Sequence, residues 1–203
     1  MKIYDISMMI DTIMPVYKNK EEKKPIINTT TNNDSTESNI SFGMHTGTHM
    51  DMPMHFVKNG KTIDTLDLNR VITTCKVLDF TYINDAITSE DLKKKNLEEG
   101  DFLLFKTKNS YSKVFDFDFV YLNHDGAEFL KELNIKGVGI DSLGIERSQT
   151  NHPTHKVLLE NEIIIIEGLR LKNIEEGIYK LIALPLKIKG VEASPVRAVL
   201  IRD

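Results

Sequence analysis

The chain has 203 residues, 26 Lys+Arg against 30 Asp+Glu, and a formal net charge of −4. Its 40% hydrophobic content and single cysteine exclude a disordered chain and an internal disulfide framework, and no apolar run approaches the ~20 residues of a membrane span. Mild acidity argues against a nucleic-acid or membrane-surface binder, which needs a basic face, so the expectation is a soluble, cytoplasmic protein folded as one domain over residues 1–203.

Met1 to Ser7 opens like a strand, and Asp5 and Asp11 interrupt the apolar stretch that a signal peptide would need. Lys18 to Lys24 is charged and is expected to be a solvated loop. In residues 28–42, β-branched residues run up to Asn32-Asn33-Asp34 and Asn39-Ile40-Ser41-Phe42 resumes extended chain, which predicts a hairpin. Cys75 to Phe80, Phe102 to Phe105, Gly137 to Asp141 and Ile163 to Ile166 are short apolar runs typical of strands buried on both faces. Tyr179 to Ile188 and Val196 to Ile201 add two more strands. Between them, a helix is expected from Ser89, as cap, to Leu97, and a second at Gly126 to Leu133 capped by Asp125. A third, short helix is expected over His155 to Leu159. Strands outnumber helices and interleave with them, so the predicted fold class is α/β with a mixed sheet. Cys75 is expected to be a small core residue, His124 and His152 loop residues, and Lys93 to Lys95 a solvated helix face.

Three of the six histidines fall in His45-Thr46-Gly47-Thr48-His49-Met50-Asp51-Met52-Pro53-Met54-His55. A helix would place residues four apart on one face. Gly47, Thr48 and Pro53 oppose a helix there, because proline lacks the N–H and its ring clashes with the carbonyl of residue 49. In extended chain His45, His49, Asp51 and His55 point one way, while Met44, Met50, Met52 and Met54 point into packing or a pocket wall. A straight strand still fails, since four residues at about 3.3 Å each would part His45 and His49 by ~13 Å. Ligands of one metal at ~2.1 Å must lie far closer together. The segment is therefore expected to curl at Gly47 and Pro53 around a cation.

These residues resemble the H-x-G-T-H-x-D-x-P-x-H signature of the cyclase/metal-dependent hydrolase family, which includes bacterial kynurenine formamidases and isatin hydrolases. Ile3 to Ser7 resembles that family's opening strand, and Gly137 to Ser142 its V-G-x-D-[ST] strand end. His155 to Leu159 with Ile163 to Leu169 resembles its distal H-x-x-L-L…I-x-I-x-E-x-L element. The resemblance implies a swivelling β/β/α-type fold, its mixed sheet curving towards a barrel with flanking helices, assembled as homodimers or homotetramers. It implies that His45, His49 and Asp51 hold a first metal, that Asp51 bridges to a second held by His155 and Glu167, and that His55 is the catalytic acid/base.

The residue types fit that chemistry. A His, His, carboxylate set leaves coordination positions open, the mark of a catalytic site. A divalent cation brings the pKa of its water from ~15.7 to about 7, and the cation stabilises the oxyanion formed at an amide carbonyl. His55 is the group to move a proton from water to the departing nitrogen. Glu167 ends a run of four isoleucines, where a buried carboxylate needs a partner, and a metal is the natural one. Nitrogen and oxygen ligands suit Zn²⁺, and the carboxylates admit Mn²⁺, with one or two ions per chain. The partner is a small molecule, with Tyr17 as the candidate to stack on an aromatic substrate. The family's formamidases usually carry a Trp-containing loop after the first strand, and this chain has no Trp. N-formylkynurenine, isatin-like rings and other cyclic amides or lactones stay open as substrates. So do a ring-forming cyclase using the same metal and a non-catalytic metal-binding relative.

Overall fold

The computed structural model describes residues 1–202. In chain order, β1 (Lys2–Asp5) precedes the hairpin β2 (Ile26–Thr31) and β3 (Thr36–Ser41), and β4 (His49–Asp51) follows. Next come β5 (Ile72–Asp79), β6 (Ala86–Ile87), α1 (Ser89–Lys93), β7 (Phe102–Lys106), β8 (Tyr121–Leu122) and α2 (His124–Glu132). The chain finishes with β9 (Gly137–Ile140), α3 (Pro153–Glu160), β10 (Ile164–Glu167), β11 (Gly177–Pro185) and β12 (Ala193–Arg202).

Seven strands close on themselves in the order β12-β11-β5-β7-β9-β10-β4, with β4 pairing back to β12; β1 adds to the free part of β12. The β5–β7, β7–β9 and β9–β10 pairs are parallel and the others in the ring antiparallel. Parallel neighbours need crossovers, and α1, α2 and α3 lie in the three connections. The expected mixed sheet curving into a barrel with flanking helices is thus observed.

The apolar runs lack alternation because both faces of the sheet are covered. Ile164 and Ile166 join Met50, Leu104 and Leu181 in one core cluster, while Ile163 and Ile165 pack with Leu130, Leu158 and Leu159 from the helices. Cys75 is buried in the first cluster, and burial pushes its thiol up to about 12.

Local expectations change in several places. Thr88, not Ser89, caps α1, through a reciprocal capping box with Asp91. That helix ends at Lys93 rather than Leu97. Asn123, not Asp125, caps α2, its side chain accepting from the Gly126 amide, while Asp125 accepts from the Ser89 amide instead. His124 is therefore the first residue of a helix, not a loop residue, and its Nε2 lies 3.4 Å from Glu128 one turn on. Within Lys18 to Lys24 the chain makes 3₁₀ turns at Tyr17–Asn19 and Glu21–Lys23. Met50 and Met52 are buried as expected, but Met54 is exposed and Met44 only half-buried.

Candidate metal centre

Strand parity builds the centre. His49 and Asp51 project from one face of β4, and Met50 between them from the other, into the core. Antiparallel register sets Glu167 of β10 opposite His49. His155 is the third residue of α3, and His55 closes a 3₁₀ turn opened by Pro53. Gly47, at φ +63, makes the bend that returns His45 to the cluster. Thr48 pins this bend, donating to the Gly168 carbonyl and accepting from the Met8 amide, both at 2.7 Å. Gly168 has φ +71, and a Cβ there would lie 2.3 Å from the Gly47 carbonyl oxygen. A Gly168→Ala variant is accordingly expected to lose about 3 kcal/mol or more of stability, checked by denaturant unfolding.

The five sequence-predicted ligands come together. His45 Nδ1 lies 3.0 Å and His49 Nε2 3.6 Å from Asp51 Oδ1. Glu167 Oε2 is 3.3 Å from His49 Nε2, and its Oε1 is 3.3 Å from His155 Nε2. His155 Nε2 lies 3.9 Å from Asp51 Oδ2. Potential ligand atoms of His45, Asp51 and His55 approach within 4.8 Å of one another, as do those of His49, Asp51 and Glu167. Asp51 is common to both groups. An outer contact fixes the His49 ring, whose Nδ1 is 3.0 Å from the Gly47 carbonyl; His155 Nδ1 lies 3.0 Å from Glu146 Oε1 but makes no hydrogen bond there. Glu167 Oε1 also accepts from the Ile145 amide at 2.6 Å.

This donor set fits a divalent cation. Asp51 and Glu167 are 1% and 4% exposed, and two neighbouring buried carboxylates need positive charge close by. Both Asp51 oxygens and His49 Nε2 are buried without a hydrogen-bond partner among the described residues, despite their close neighbours. They converge as ligands do, rather than pairing as donor and acceptor.

In the metal-free protein, protons take the cation's place. Burial opposes charge on His49, but Glu167 and Asp51 outweigh it and raise the ring to about 9. Burial likewise opposes charge on His155, and Glu146, Glu167 and Asp51 raise it to about 10. Burial also works against ionised Glu167 and Asp51, yet the neighbouring imidazoles hold both carboxyls below their ordinary range. A histidine with a raised folded pKa stabilises fully below its unfolded value near 6.5 and loses that contribution as pH rises through the folded value. Melting temperatures of chelator-treated protein are therefore expected to fall between pH 6.5 and about 10. Metal-loaded protein should lack that fall, because its ligands are already neutral imidazoles.

The centre opens on a cavity of about 250 Å³ lined by Tyr17, Lys23, His55, Phe56, Glu146 and His152 beside the ligands. Tyr17 lines this cavity, its own ring set edge-on to Phe115 at 5.2 Å. His152 is a loop residue as expected, immediately before α3; it lines the cavity, and its Nδ1 lies 2.5 Å from Glu146 Oε1. Neither Glu146 nor Phe56 is singled out by sequence reasoning. The signal available for Glu146 is its position between the Asp141-Ser142 strand end and the His152-Pro153 helix start.

Comparison with known proteins agrees with this geometry. The family model described as "Putative cyclase" matches residues 4–147, and the chain belongs to that cyclase family. It is 31% identical over 206 residues to a kynurenine formamidase of Salinibacter ruber, covering 98% of this chain and 97% of that protein. It is 37% identical over 180 residues to cyclase-like protein 3 of Oryza sativa, covering 83% of this chain but 66% of the rice protein. A solved structure described as a predicted metal-dependent hydrolase from Bacillus stearothermophilus superposes with a TM-score of 0.92 at 50% identity, over 98% of this chain and 97% of that one.

Proposed function

We propose that this protein is a metal-dependent amide hydrolase of the kynurenine formamidase type, acting on the carbon–nitrogen bond of an aryl formamide. One observation carries the reading: buried, unpartnered ligand atoms of His49 and Asp51 converge at a cavity that His55 also lines. The likeness to the Salinibacter ruber kynurenine formamidase over almost the full length of both chains supports it. His45, His49 and Asp51 would hold a first ion, and Asp51, His155 and Glu167 a second. Zn²⁺ is the ion proposed, with Mn²⁺ the alternative, because the donors are nitrogen and oxygen alone.

A divalent cation in this position supplies Lewis acidity, acidifying water and polarising a carbonyl oxygen. The chain's own groups do the rest. Burial lowers the pKa of His55 from its ordinary value, so its ring is neutral at pH 7 and has a lone pair for the proton of attacking water. As imidazolium it returns that proton to the departing nitrogen. Phe56 and Tyr17 offer aromatic walls to a substrate ring.

The protein is further proposed to be a cytoplasmic homodimer or homotetramer, one domain over residues 1–203, with no nucleic-acid or membrane partner. No helix among the described residues is long and apolar enough to cross a membrane. The β2–β3 hairpin supports an oligomer: it pairs only with itself, and Ile26, Ile27 and Ile40 are exposed on it. A lone two-stranded hairpin is marginal in water, and a second copy would cover it.

Hydrolysis assays on N-formylkynurenine, formanilide and isatin test the activity. Turnover of the formamides by the metal-loaded protein is expected. Absence of hydrolysis in all three would reject the reading.

A further inference from the structure

Glu146 and His152 lie just behind the proposed ligands: Glu146 Oε1 is 3.0 Å from the ring of His155 and also meets His152. Glu146 is 4% exposed, and its carboxylate gathers donors from one short stretch. It accepts from His152 Nδ1 at 2.5 Å, the Thr154 amide at 2.9 Å, the His155 amide at 3.4 Å and Gln149 Nε2 at 3.4 Å. Two of these donors are the first amides of α3, where negative charge is favoured.

The backbone at His152 is held in an unfavourable shape. Asn151 and His152 have φ of 66 and 52, consecutive left-handed residues without a glycine between them. His152 also precedes Pro153, which disfavours helical backbone at the residue before it. Such conformations persist only where the surroundings fix them, and they cluster at functional sites. What this one achieves is to set the His152 ring on the cavity wall, 5.1 Å from the Phe56 ring.

The chemistry of the ring follows from its partner. A carboxylate oxygen accepts, so Nδ1 of His152 is the donor to Glu146, and an imidazole that carries its proton on Nδ1 has its lone pair on Nε2. With Nδ1 engaged by Glu146, Nε2 is the ring nitrogen available to a ligand in the cavity that His152 lines.

We propose that His152 is a substrate-contacting residue whose Nε2 accepts a hydrogen bond from the N–H of the bound amide, and that Glu146 is the positioning residue that orients it. The proposal rests on the amide-hydrolase reading and adds a preference: substrates bearing an N–H on the scissile nitrogen are favoured over N-alkylated ones.

The test compares formanilide with N-methylformanilide, which lacks the N–H. In His152→Leu protein the ratio of their kcat/KM values is expected to fall about tenfold, the worth of one lost hydrogen bond. His152→Gln, which restores an acceptor oxygen, should recover most of that ratio, and both variants should keep wild-type metal content. A role confined to starting α3 would move both substrates together. Independently of turnover, formanilide added to ¹⁵N-histidine-labelled wild-type protein should shift the His152 Nε2 resonance, identified by its absence in His152→Gln. Hydrolysis of formanilide with an unchanged ratio, or with an unmoved resonance, would overturn the proposal and leave the hydrolase reading standing. No hydrolysis of any amide by metal-loaded wild-type protein would overturn both.

Discussion

Asp51→Asn protein is expected to purify with little or no bound divalent metal and to lose turnover by a factor of about 10⁴ or more, down to the detection limit of the assay. Asp51 belongs to two of the three groups of convergent donors, His45–Asp51–His55 and His49–Asp51–Glu167. Its two oxygens face His45, His49 and His155 at 3.0 to 3.9 Å. Amidation removes the negative charge while keeping the shape, so a simple packing defect is a poor explanation for the loss. Elemental analysis beside a formamide assay checks it. A variant that kept both metal and activity would mean that the ligands are misassigned.

His55→Ala is expected to behave differently. His55 lines the cavity, its ring 4.2 Å from that of His45 and 5.8 Å from that of His155, yet it belongs to neither proposed ion. The variant should therefore retain metal while turnover falls by about 10²–10⁴, the usual worth of general acid–base catalysis. Burial, with further contributions from His45 and His155, lowers the His55 pKa, against opposition from Asp51 and Glu167. The acidic limb of the wild-type kcat/KM profile should have its midpoint below the unperturbed 6.5, with activity rising as the ring loses its proton. A bound cation would push in the same direction. Loss of metal in His55→Ala would make it a ligand instead.

The centre is legible in sequence because most of its residues lie close together in the chain. Four of the residues lie in one eleven-residue segment whose period, glycine and proline exclude a helix and a straight strand. Glu167 was legible for a different reason: a carboxylate ending a run of four isoleucines must be buried and must find a partner. What joins it to His49 is strand register, set by the β4–β10 pairing more than a hundred residues apart in sequence.

Glu146 and His152 were hidden for the same cause in reverse. Their pairing depends on two left-handed residues before Pro153; Asn151 and Pro153 mark a turn there but not which carboxylate it brings to His152. The main strands were read correctly because doubly buried strands are continuous apolar runs, whereas β6 and β8, two residues each, leave no periodic trace. The helix starts differ from expectation by one or two residues, because Thr88 and Asn123 cap ahead of Ser89 and Asp125 and α3 begins at Pro153 rather than His155. The closure of β4 onto β12 was beyond local pattern: Asp51 and Ala193 meet only in the folded sheet.

His45, His49, Asp51, His155 and Glu167 are proposed to hold a divalent cation on which amide hydrolysis depends. The most direct measurement is metal content per chain together with N-formylkynurenine turnover, followed through chelation and re-addition of Zn²⁺ or Mn²⁺. One or two ions per chain are expected, with turnover lost on chelation, restored by metal in wild-type protein, and not restored in His49→Ala/Asp51→Ala protein. Full turnover after metal removal, or in that double variant, would contradict the account.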